Sequence, residues 1–174
     1  MNTEELMRTI ETELFVFQKR IIFNASLNRL DLNIDAEEFY RLLFNIIFNY
    51  HLENLNITEP NAAAIDLIDR DAKVVIQVIS SATKEKIEKT LKNEAIEKYK
   101  DYRLKFMFIG NEVSSALRKK IFNNSYNIHF YAHEDLYDVT VLLKHIRSLE
   151  IEKKEEVYNC IKKNLHQYSE IRIK

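Results

Sequence analysis

The chain has 174 residues, 46% hydrophobic and 30% charged, with a formal net charge of −1. These values exclude a disordered or fibrous protein and fit one soluble domain large enough to bury its own core. Glycine and proline occur once each, which argues against barrels and sandwiches with glycine-rich turns and against a glycine-rich loop cradling a nucleotide cofactor.

A charge so near zero supplies no overall field for nucleic acid, so any such binding needs a local patch. The one cysteine, Cys160, has no metal ligands at zinc spacing, and a reducing, cytoplasmic setting is expected. The first residues are polar and acidic, and no run approaches the roughly 18 apolar residues of a membrane span, so neither a signal peptide nor a membrane segment is expected.

Leu6, Ile10, Leu14, Phe17 and Ile21 recur at helical spacing behind Asn2 and Glu5, which have the form of a capping box. They predict a helix from residue 3 to the mid-twenties. Asp35 and Glu38 form a second such signature ahead of Phe39, Leu42, Leu43, Ile46 and Ile47, predicting a helix over 36–52. Asn54, Asn56, Thr58 and Pro60 predict a loop. Residues 62–69 and 73–80 read as two strands of a tight hairpin turning at Asp69-Arg70-Asp71, the second rich in β-branched residues.

From 83 to 102 the pairs Glu85/Lys89, Glu88/Lys92 and Glu94/Lys98 have the spacing of a helix held by ion pairs, with Ile87, Leu91, Ala95 and Tyr99 as its apolar stripe. Further elements follow as a strand over 104–109 ending at Gly110, a helix over 113–122, a strand over 127–132, and helices over 134–149 and 151–168. The order α, α, β, β, α, β, α, β, α, α predicts a single α/β layered domain over 1–174 with a small mixed sheet, its core at about 10–132 and its C-terminal helices at 133–170.

Two polar residues interrupt the apolar runs of the hairpin. Asp66 shares a strand face with Ala62, Ala64 and Ile68, and Gln77 shares one with Val75 and Ile79, so a hairpin sets the acid beside the amide. A carboxylate with neutral oxygens around it suits a hard divalent cation, which activates water for phosphodiester hydrolysis. The amide oxygen of Gln77 and a backbone carbonyl near Val78 are candidates for those oxygens, with Glu37 or Glu38 reaching in from the second helix. The structural alternatives are that Asp66 pairs with Arg70 or Lys73, or accepts backbone hydrogen bonds at a turn, and that Glu37 and Glu38 serve only the first turn of their helix.

Asp35–Tyr40, Asn54-Leu55-Asn56, Asn61–Asp69, Ile76–Ser81 and Lys86–Leu91, taken in order over about residues 10–110, resemble the bacterial SMEK domain. More broadly, the pattern resembles the core of the PD-(D/E)XK nuclease superfamily. The resemblance implies a restriction-endonuclease-like core of α-β-β-β/α-β type with added N- and C-terminal helices. It implies Mg²⁺ or Mn²⁺ held by Asp66, Gln77 and Glu37, with Asn61 fixing the loop into the first strand. It also implies a nucleic-acid substrate, DNA or RNA, and a protein partner or larger parent protein in an antiphage-defence system.

One position departs from that pattern. Two residues after Gln77, where the superfamily carries lysine, stands Ile79, which neither orients water nor stabilises charge. Lys84 and Lys86, at the start of the next helix, are candidate replacements because a long ammonium side chain reaches back toward the strand end. Two function classes therefore stay open: a metal-dependent nuclease, and a catalytically inactive nuclease-fold module for protein interaction or homo-oligomerisation. His51, His129, His133, His145 and His166 show no metal-ligand pairing, and Ser80 and Ser81 read as a strand end rather than nucleophiles.

Overall fold

The computed structural model describes residues 1–59 and 64–169. Helix α1 (Thr3–Ser26) begins with the expected capping box, since Asn2 accepts from the Glu5 N–H and Glu5 reaches back to the Asn2 N–H. Helix α2 (Asp31–Phe48) starts earlier than predicted, and Leu30 leads into it without a side-chain cap. The Asp35/Glu38 capping box does not form: Asp35 accepts from the Tyr168 hydroxyl and Glu38 pairs with Arg41.

Then come β1 (Glu53–Asn54), the short α3 (Leu55–Thr58), β2 (Leu67–Asp69), β3 (Val74–Ile79) and α4 (Lys84–Lys92). The predicted 83–102 helix breaks at Asn93, where ψ is 120° and the side chain caps a following 3-10 helix, Glu94–Tyr99. Strand β4 (Arg103–Phe108) follows, then α5 (Ser115–Arg118), α6 (Ala132–Asp135), β5 (Leu136–Tyr137), α7 (Val139–Arg147) and α8 (Ile151–Ser169). The predicted strand over 127–132 reduces to one bridge, between Arg103 and His129, and the actual edge strand is β5. The predicted 113–122 helix is a single turn, α5, held by the Ser114 cap.

The five strands lie in the order β1-β2-β3-β4-β5, antiparallel from β1 to β3 and parallel from β3 to β5. One sheet face carries Leu67, Val74, Ile76 and Met107 into a core with α1, α2, α7 and α8. The other carries Ile68, Val75, Leu104, Phe106 and Phe108 against α4, the 3-10 helix and the segment around Ile128 and Phe130. Parallel strands covered on both faces have little room for polar side chains, which explains the nearly unbroken apolar run of β3. No described helix is long and apolar enough to cross a membrane.

Buried acids tie the connections to this sheet. Asp69, 2% exposed, accepts from the N–H groups of His51 (2.7 Å), Asp71 (3.0 Å) and Ala72 (2.9 Å). Burial alone would raise its pKa, but these hydrogen bonds outweigh that and hold the carboxyl below its ordinary value. The acid therefore builds the β2–β3 turn, which closes through Lys73 at φ 58°. Asp138 caps α7 through the Val141 N–H and also binds the Val113 N–H and Arg118. Gly110 is required where β4 ends: a Cβ there would lie 2.2 Å from the Ser80 carbonyl oxygen and 2.8 Å from Ile22 Cδ1.

Asp135, fully buried, accepts from Arg103 Nε (2.8 Å), Lys105 Nζ (3.4 Å) and the Tyr131 N–H (2.8 Å), while Lys105 also donates to the Tyr137 hydroxyl (3.1 Å). Removing the acid strands a buried ammonium, whereas removing the ammonium leaves the acid its other donors. Asp135→Ala is expected to lower the unfolding free energy by about 3–5 kcal/mol and Lys105→Met by about 1 kcal/mol or less, as read from urea denaturation.

Candidate functional site

Where the β2–β3 hairpin opens, the chain clamps Asp66 from both sides. Its N–H donates to the Ile76 carbonyl (3.1 Å) and its carbonyl accepts from the Leu55 N–H (2.8 Å). Leu67 pairs with Ile76 and Ile68 with Val75, and regular strand begins only at Leu67. The Asp66 N–H bonds the Ile76 carbonyl in place of one further step of the register, so acid and amide lie at the same end of the hairpin but outside its regular pairing. Asn61 lies outside the described residues.

The Asp66 carboxylate spans two elements. Oδ2 accepts from the Val78 N–H at 2.8 Å, continuing the ladder with a side chain. Oδ1 accepts from Asn56 Nδ2 at 3.0 Å, and the same Nδ2 donates to Glu37 Oε1 at 3.0 Å. Asn56 is positioned by α3, whose N-cap Asn54 accepts from the Asn56 N–H. The cationic partners considered for Asp66 are engaged elsewhere, since Arg70 pairs with Glu53 (3.1 Å) and Lys73 lies over the Tyr102 ring, but the backbone hydrogen bond considered for it is made, by the Val78 N–H.

Glu37 is therefore the α2 acid that reaches the hairpin. Glu38 instead grips Arg41, whose guanidinium also donates to the Leu52 carbonyl and ties α2 to the following segment. Burial pushes the Glu37 pKa up to about 8, with further contributions from the Asp66 charge and from a hydrogen bond shared with Asp66, against which Asn56 acts only weakly. A pKa of about 8 leaves Glu37 mostly protonated at neutral pH. Such a pair of carboxyl groups accepts a positive charge readily, because it removes a like-charge repulsion.

The Gln77 Oε1 is buried and has no hydrogen-bond partner among the described residues, a costly state for an acceptor unless a ligand meets it. Gln77, Val78, Ile79 and Ser80 form the sheet wall of a cleft of about 490 Å³. Lys86, Lys89, Thr90 and Asn93 form the opposite wall from α4 and its C-cap, and Asn33 and Ala64 complete the rim.

Lys86 donates to Ser81 Oγ (2.8 Å) and approaches Ser80 Oγ (3.5 Å). Lys84 does not line this cleft; it turns outward to Glu88 at 3.6 Å. The ion pairs predicted along this helix do not form: Glu88 takes Lys84 in place of Lys92, and Lys98 takes Glu59 in place of Glu94. Lys89 has no acidic partner among the described residues and faces the cleft instead of Glu85.

The residues fit a hard cation in donor type, with two carboxylates and an unpaired amide oxygen, a set small enough to leave a Mg²⁺ ion several waters. No three His, Cys, Asp or Glu side chains converge among the described residues, so Gln77 has to complete the set. Asn56, Lys89 and Asn93 were missed as site residues by the sequence reading. The signals were the Asn-Leu-Asn spacing of 54–56 and the shared helical face of Lys86, Lys89 and Asn93.

Fold and site together define a mixed α/β domain with a polar site at the margin of its central strands. The family model of the SMEK domain matches residues 9–147, and the chain belongs to that family. Comparison with curated proteins and with solved structures returns no match.

A group whose folded pKa lies above its unfolded value favours folding fully below the unfolded value and loses that contribution as pH rises through the folded one. For Glu37 that window runs from 4.5 to about 8. The melting temperature is expected to fall across it relative to Glu37→Gln, which lacks this titration. Parallel pH profiles in native protein and variant would refute the carboxyl pair.

Proposed function

We propose that this domain is a metal-dependent nuclease that hydrolyses phosphodiester bonds, with a restriction-endonuclease-like arrangement of α2, the β2–β3 hairpin, α4 and β4. One observation carries the reading. Asn56 joins the Glu37 and Asp66 carboxyl groups, Asp66 is held by the Val78 N–H, and Val78 and Gln77 line a cleft whose charged residues, among those described, are Lys86 and Lys89. The parallel crossover from β3 through α4 to β4 supports it further. A bacterial antiphage-defence setting, with a partner or a larger parent protein, belongs to the same proposal and rests on the family resemblance.

Asp66, Glu37 and Gln77 would hold Mg²⁺ or Mn²⁺. Bound there, the ion would lower the pKa of water and offset charge developing at phosphorus. Asp66 keeps its orientation through Val78 and Asn56, so its carboxylate is preorganised. Glu37 holds a proton near neutral pH and releases it when a positive charge arrives. Lys86 stands over Ser80 and Ser81 at the strand end, close to the position that Ile79 leaves without charge.

A second reading, a catalytically inactive interaction module, is favoured by Ile79 and by an apolar groove along α1. Phe15, Ile22 and Phe23 line that groove, with Phe23 57% exposed. Cleavage of double-stranded DNA, single-stranded DNA and RNA with Mg²⁺ or Mn²⁺ separates the two. The nuclease reading expects cleavage that falls by about two orders of magnitude or more in Asp66→Ala. It also expects Mg²⁺ to raise the melting temperature more at pH 8.5 than at 6.5, because the ion competes with the Glu37 proton. A native protein that cleaves none of the three, or an undiminished Asp66→Ala, would sink it.

A further inference from the structure

Helix α4 sorts its charges in a way that its own stability does not require. Glu85 and Glu88 lie off the cleft, and Glu88 is paired with Lys84. Lys86, Lys89, Thr90 and Asn93 face it, at the spacing of one helix side. Among the described residues the cleft is lined by two ammonium groups and no carboxylate. Its other polar lining comes from Ser80, Thr90 and the amides of Asn33, Gln77 and Asn93.

A two-cation wall suits an anion seated in the cleft itself. Val78 joins the cleft to the carboxyl pair, since its N–H binds Asp66 and the residue itself lines the cleft. A cleft of about 490 Å³ is ample for a group of nucleotide size. Lysines act as point charges toward phosphate. Among the described residues no aromatic ring lines the cleft, so these residues offer no platform on which a base stacks.

We infer that the cleft between β3 and α4 seats the sugar-phosphate backbone of a nucleic-acid strand without regard to sequence, and that Lys89 is its principal anchoring cation. Lys86 is the second cation, already oriented by Ser81 at 2.8 Å. The inference rests on the nuclease reading for the direction in which the strand leaves the cleft, but not for the binding itself. Ile79 then has a physical account: apolar packing occupies the strand position, because positive charge enters from the facing helix.

The test is binding without chemistry. Fluorescence anisotropy of labelled single-stranded DNA and RNA, in EDTA and across roughly 50 to 300 mM KCl, is read for native protein, Lys86→Gln, Lys89→Gln and Lys89→Arg. Lys92→Gln, on the same helix but off the cleft, is the control. Lys89→Gln is expected to weaken binding about 3- to 10-fold and to reduce the salt slope by about 0.7, the loss of one phosphate contact. Lys86→Gln acts in the same direction, Lys89→Arg keeps the binding, and Lys92→Gln changes neither quantity. Oligonucleotides of different sequence are expected to bind alike.

Native protein that binds neither nucleic acid, or Lys89→Gln with unchanged affinity and slope, would overturn the inference. Thermal melting of each variant shows whether a loss is only a loss of fold. Lys89-dependent binding by a protein that cleaves nothing would uphold the strand site while removing the nuclease reading, so the two fail separately.

Discussion

A central strand covered on both faces can carry polar side chains only where its covering layers part, and most of this molecule follows from that constraint. Val74, Val75 and Ile76 are buried in the middle of the sandwich, and Gln77 to Ile79 emerge into partial exposure. Chemistry can therefore assemble only at that end of β3. The hairpin brings Asp66 there, α2 brings Glu37, α3 brings Asn56 and α4 brings two lysines. Each comes from a different element: Asn56 joins Asp66 to Glu37, and the lysines line a cleft with Gln77 and Val78.

The same constraint sorts the acids of the chain. Asp69, Asp135 and Asp138 are the deeply buried ones, and each is satisfied by backbone N–H groups or by a cation at close range. They hold turns and caps, and nothing is left unpaired on them for a ligand. Asp66 and Glu37 differ because they share one amide donor, and burial, with the Asp66 charge adding to it, raises the Glu37 pKa. A shared donor and a perturbed pKa separate a site from a scaffold more sharply than burial alone does.

The parts legible in the sequence were those governed by short-range pattern. The α1 capping box, strands β3 and β4 and helices α1 and α8 follow from local periodicity, whereas the helix predicted over 134–149 is interrupted by β5 and keeps only Val139–Arg147 as α7. The misread parts were decided by tertiary contact. Asp35 and Glu38 look like a capping box until Tyr168 and Arg41 claim them. Residues 127–132 have strand composition but only one bridge, because the edge of the sheet goes to Leu136 and Tyr137, fixed by Asp138 and Arg103 on either side. Lys89 looked like half of an ion pair because charge spacing along a helix does not reveal which face a cleft will occupy.

This difference also bears on the missing strand lysine. A charge placed two residues after Gln77 would stand on the same sheet face as Val75, within the second core, where an ammonium needs a partner to offset its desolvation. Ile79 packs against that core instead. Two lysines on α4 supply positive charge from the opposite wall, the Lys86 ammonium resting on Ser81 Oγ. The exchange separates two demands that a strand lysine has to meet together: the sheet retains apolar packing, and the cleft retains its charge. On the nuclease proposal, a motif defined by positions along one strand would lose its lysine in such a chain while the cleft keeps positive charge from α4.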